Sequence, residues 1–204
     1  MTLNFDNYDV DIDVEATRRA HSRLPRTSEK CGCAGCRNFT LAIGDVLGEG
    51  GRRLFASVGV EDPAKATESC VDLPHGDGTF LYGAWYHLCG RIRRRFEAVL
   101  DATSAEWGEA RERRVGERAH ISFVDGRRII GREAAFGDAA IVQMELSAEA
   151  VPWVLDEPPF NERGVGSDEI CLCRGFQLGR DDFPHEDRVR PVAEWRGRRV
   201  AGGR

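Results

Sequence analysis

At 204 residues, with 41% hydrophobic and 31% charged side chains, the chain has the composition of one globular core with a solvated surface, which excludes a disordered or a membrane-embedded chain. Its formal charge of −5 opposes any global attraction to nucleic acid or anionic lipid, both of which select a clustered positive face. The N-terminal run MTLNFDNYDVDIDVE is acidic where a secretory leader is basic and then apolar. No stretch reaches the roughly 20 apolar residues of a membrane helix, so a soluble, cytoplasmic protein is expected.

Phe5, Tyr8, Val10 and Ile12 alternate as in a short strand, Asp13 stands where a helix N-cap would, and Pro25 ends the helix that follows. Beyond a cysteine cluster, Phe39, Ile43, Val46 and Leu47 share one helical face, with Gly48 as a stop. Leu54, Phe55 and Val58 form a second helical face after Gly50 and Gly51, and Asp62-Pro63 reads as the start of a short third helix. From Cys70 the period changes to two. Phe80, Tyr82, Ala84, Tyr86 and Leu88 alternate with Leu81, Trp85, His87 and Cys89, the pattern of a long strand buried on both sides.

Ala119, Ile121 and Phe123 continue the alternation, and Asp125-Gly126 supplies a tight hairpin turn. Val142, Met144 and Leu146 face one way and Gln143 and Glu145 the other, a strand with one wet side. The expected fold class is therefore α+β, an N-terminal helical region with a Cys-rich loop packed on a mainly antiparallel sheet. Pro158, Pro159, Gly164 and Gly166 break up the chain beyond Pro152, leaving one possible strand over 169–176. Residues 1–187 read as a single domain and 188–204 as a basic, flexible C-terminal tail.

The chemistry concentrates in Cys31-Gly-Cys33-Ala-Gly-Cys36. Tetrahedral zinc, with Zn–S near 2.3 Å, spaces its sulfurs roughly 3.8 Å apart, and Gly32 and Gly35 allow the backbone to wrap that tightly. A helix beginning beyond Cys36 adds a positive dipole end that favours thiolates. The fourth ligand is drawn from His87, Cys89, His75, Cys70, Cys171 or Cys173, with His87 taken for the set Cys31, Cys33, Cys36 and His87. Two donors from His87 and Cys89 are disfavoured, because residues two apart on a strand stand about 6.6 Å apart; the same holds for Cys171 and Cys173. His87 also has a plainer reading, as a hydrogen-bonded histidine of the core.

Cys33-Ala-Gly-Cys36 has the spacing of a redox dithiol, but without the βαβ pattern of the thioredoxin-like folds. Gly48-Glu-Gly50-Gly51 lacks the lysine and hydroxyl of a phosphate loop, and the run Arg91 to Arg95 suits a charged exposed edge as well as a nucleic-acid patch.

Four segments carry a family resemblance: Cys31-x-Cys33-x-x-Cys36-Arg37-Asn38-Phe39, Phe55-x-x-Val58-Gly59-Val60-x-Asp62-Pro63, Tyr82-Gly83-x-Trp85-Tyr86-His87 and Pro152-Trp153-Val154-Leu155. Over about residues 28–156 the chain resembles a group of small uncharacterised bacterial proteins with no assigned reaction. The resemblance implies an intact domain with a significant cysteine cluster, and Cys171 and Cys173 lie beyond it. The reading that follows is a zinc-stabilised, non-enzymatic module that binds another protein. The alternative is a thiol-dependent redox enzyme or sensor using Cys33 and Cys36. Membrane partners are not expected, and nucleic acid is disfavoured by charge.

Overall fold

The computed structural model describes residues 1–4, 8–74, 78–94, 113–125 and 131–157. The tail over 188–204, the strand expected over 169–176, the turn at Gly126, and His75, Cys171 and Cys173 all lie outside the described residues.

In chain order the elements are β1 (Thr2–Asn4), β2 (Tyr8–Ile12), α1 (Val14–Ser22), α2 (Thr27–Lys30), α3 (Ala34–Ser57), β3 (Glu68–Pro74), β4 (Thr79–Arg94), β5 (Arg113–Arg114), β6 (Ala119–Val124) and β7 (Ile141–Pro152). A 3₁₀ turn, Ala134–Phe136, precedes β7. Every described strand pairing is antiparallel, in the order β1-β2-β4-β7-β6-β5, with β3 also on β4. The protein is therefore an α+β fold.

β4 is the spine. One of its edges runs along β7, while the other is shared, with β3 along residues 80–85 and β2 along residues 90–94. The backbone between these two partners would be left unpaired, which is costly away from water. α1 fills that gap with side chains: Thr17 Oγ1 accepts the Cys89 amide at 3.0 Å, and His21 Nε2 donates to the His87 carbonyl at 2.8 Å. The Asp13 and Thr67 amides close the seam on Cys89 O and Trp85 O. Asp13 also caps α1 as the sequence suggests, its Oδ1 accepting the Ala16 amide at 2.9 Å.

The even-numbered face of β4 builds the core. Phe80, Tyr82, Ala84, Tyr86 and Leu88 are buried there with Phe39, Ile43, Leu47 and Phe55 of α3. Phe39 meets Tyr82 at 5.8 Å and Phe55 meets Tyr86 edge-on at 5.1 Å. Burial of each such side chain contributes about 1.5–3 kcal/mol. A smaller cluster of Ala20, Leu24, Cys89 and Phe136 covers one end of the opposite face.

Gly48 ends a first helical segment as the sequence suggests, with φ 61°, ψ −173°, open to glycine, and after this break α3 runs on as a second segment through Ser57. Two local expectations change. Asp62-Pro63 forms a turn instead of a helix, with Asp62 accepting the amides of Ala64 on its side chain and Lys65 on its carbonyl. Gln143 is fully buried instead of wet, because it lies beside His87 on the side of the sheet where Phe136 packs.

Candidate metal centre

The three cysteines belong to the junction of two helices. Cys31 ends α2 in extended backbone, its amide still bonded to the Thr27 carbonyl. Cys33 is the N-cap of α3, its Sγ accepting the Cys36 amide at 3.4 Å. Cys36 falls in the first turn, buried, with its sulfur 3.8 Å from Ser69 Oγ on β3. Ending one helix and starting the next within three residues turns the side chains inward together. The three sulfurs lie within 4.8 Å of one another.

That spacing fits a thiophilic ion, since tetrahedral zinc holds its sulfurs roughly 3.8 Å apart and rotamer adjustments close the difference. The segment of α3 from Ala34 to the break at Gly48 is long enough to direct a full dipole at the cluster. The start of α3 is also docked firmly. Gly35 packs against Val71 and its carbonyl accepts the Tyr82 hydroxyl at 3.2 Å. Lys30, just before the cluster, reaches the carbonyls of Ala66 and Thr67 and the carboxylate of Glu133. No disulfide involves any of the five described cysteines.

His87 does not join them. Ser69, which touches Cys36, pairs with Ala84, and His87 is three residues further along β4 and so faces the other way. There its ring meets Phe136 at 5.7 Å. Cys89 shares that face, where burial pushes its thiol pKa up. Cys70, opposite Gly83, lies on the same side as His87. Cys31, Cys33 and Cys36 are thus brought together without His87, Cys70 or Cys89.

No family model, curated protein or solved structure matches the chain.

Two features escaped the sequence reading. Asn38, fully buried in α3, donates to the Pro152 carbonyl at 3.1 Å and to Tyr82 Oη at 3.3 Å, while its Oδ1 accepts the Val154 amide at 2.7 Å. One amide thus ties the helix behind the cysteines to two strands. The second feature is an open depression of about 190 Å³ on the sheet face away from α3, lined by Trp85, His120, Ser122, Glu145 and Ser147 among others. Its Glu145 carboxylate accepts from Gln143 Nε2 at 3.0 Å and Ser122 Oγ at 3.4 Å. The alternation of β6 and β7 already put these polar groups on one face; their neighbourhood with Trp85 follows only from the register.

Proposed function

We propose that this protein is a zinc-stabilised, non-enzymatic binding module of the cytoplasm whose partner is another protein. The observation that carries the metal half is the convergence of the Cys31, Cys33 and Cys36 sulfurs at the α2–α3 junction. Thiolates favour zinc, copper(I) and iron–sulfur clusters over the hard ions calcium and magnesium, which take oxygen ligands. Zinc suits a clamp because it is redox-inert and ties chain segments together without chemistry of its own. Here it would lock the start of α3 to the end of α2, and through Cys36 bring the clamp against β3. The segments that carry the family resemblance support the reading: Asn38, Tyr82, Pro152 and Val154 meet directly behind the cluster.

A structural site takes a fourth protein donor. His87, Cys70 and Cys89 face the other side of the sheet, and the other candidates named from the sequence, His75, Cys171 and Cys173, lie outside the described residues. The test is elemental analysis of protein purified without added metal. One zinc per chain is expected, lost on Cys31→Ser, Cys33→Ser or Cys36→Ser and retained on Cys89→Ala. Protein that holds no stoichiometric metal, and whose melting is unchanged by chelator, overturns the metal reading.

A further inference from the structure

We propose that Cys33 and Cys36 are a modification site for hydroperoxides, closing to a disulfide that ejects the metal. The disulfide rests on geometry alone; the metal release rests also on the zinc reading above. Three observations converge. Cys33 is only half-buried at the N-cap, whereas Cys36 is 2% exposed, so a small oxidant reaches Cys33 and is shielded from Cys36. The two lie in one helical turn, where residues three apart are neighbours, with the Cys36 amide 3.4 Å from the Cys33 sulfur. Their sulfurs stand within 4.8 Å of each other, so side-chain rotation brings them to bonding distance without moving the helix.

The chemistry balances in two steps. The Cys33 sulfur attacks an oxygen of the hydroperoxide, forming S–O and breaking O–O. The departing oxygen leaves as water or alcohol with the thiol proton, or, from the zinc-bound thiolate, with a proton taken from solvent, and Cys33 becomes a sulfenic acid. The Cys36 sulfur then attacks Cys33, forming S–S and breaking S–O, and the hydroxide leaves as water with the Cys36 thiol proton or, from the zinc-bound thiolate, with a proton from solvent. Two thiols lose two electrons and the peroxide gains them; zinc keeps its charge throughout. A disulfide sulfur is no longer a thiolate ligand, so the ion loses two of its three clustered donors and departs.

The full chain, loaded with zinc, is treated with excess hydrogen peroxide. Zinc release is followed with a colorimetric chelator, and the thiols are mapped by digestion and mass spectrometry. Loss of stoichiometric zinc is expected in step with a single peptide that carries both Cys33 and Cys36 and is two hydrogens lighter, its bond placed by fragmentation, and a dithiol reductant should restore binding. Cys36→Ser should stop at a Cys33 sulfenic acid that dimedone traps, and Cys31→Ser should still form the bond. Cys33 and Cys36 remaining reduced under peroxide, or a bond formed instead between Cys31 and Cys33, overturns the proposal. If the purified chain holds no zinc, the metal reading alone falls, and the same peptide map on that protein still decides the disulfide.

Discussion

A buried side-chain amide costs free energy unless both of its ends are matched, and Asn38 meets that condition with partners on two strands. Replacing it removes a donor pair and an acceptor together. Water can take over the Pro152 carbonyl and Val154 amide, both on exposed residues, so the cost is that of the three lost bonds at about 0.5–1.5 kcal/mol each. Asn38→Ala should therefore lower stability by about 2–4 kcal/mol in urea unfolding. Asn38→Asp should not rescue it, since a carboxylate cannot donate to Pro152. Asn38 stood in plain view within Cys36-Arg37-Asn38-Phe39, yet its role was not legible there, because its partners are more than 40 residues away.

At the scale of the element, the end of α3 shows how local chemistry and packing agree. Gly59 follows Val58 with φ 91°, its amide bonded to the Ala56 carbonyl, while the Val60 amide reaches the Phe55 carbonyl. This is the pairing of a Schellman cap, with Phe55 and Val60 both in the core. A Cβ on Gly59 would meet the Val14 carbonyl at 2.6 Å and the Arg18 amide at 2.9 Å, which are backbone atoms of α1 and cannot rotate away. Gly59→Ala should accordingly cost about 2–4 kcal/mol, combining left-handed strain with displacement of α1. Thermal unfolding measures it, and a change within about 0.5 kcal/mol would show that α1 shifts without loss. The periodicity of Phe39, Ile43 and Leu47 announced the first segment of α3, Gly48 its end, and Leu54, Phe55 and Val58 the segment that follows.

Across the whole molecule, α1 completes the edge of β4, and this makes stability depend on pH. His21, 3% exposed, bonds to the His87 carbonyl through Nε2, and its pKa is lowered to about 4, chiefly by burial; the bond to that carbonyl opposes the shift, and the charges of His87, Lys30 and Lys65 add to it. The unfolded chain therefore binds the His21 proton near pH 6.5 and the folded chain only near 4. Its contribution to stability is complete above pH 6.5, falls as pH drops through that window, and is lost below about 4, a change of about 3 kcal/mol. Urea titrations between pH 7 and 4 should show this slope, and His21→Gln, which can still donate to the carbonyl, should flatten it. An equal slope in the variant would assign the effect to other groups.

By itself the sequence determined the α+β class, the apolar faces of the two α3 segments and the break between them at Gly48, the Asp13 cap, the alternation of β4, β6 and β7, and the cysteine cluster at a helix start. Each of these depends on neighbours within a few residues, where the periods of helix and strand and the chemistry of caps act directly. Only the tertiary structure decided that α1 seals the gap between β2 and β3, that Asn38 joins α3 to β4 and β7, and that His87 faces away from Cys36. Those outcomes depend on strand register, and a shift of one residue in β3 against β4 would exchange the faces and bring a different set of donors to the sulfurs.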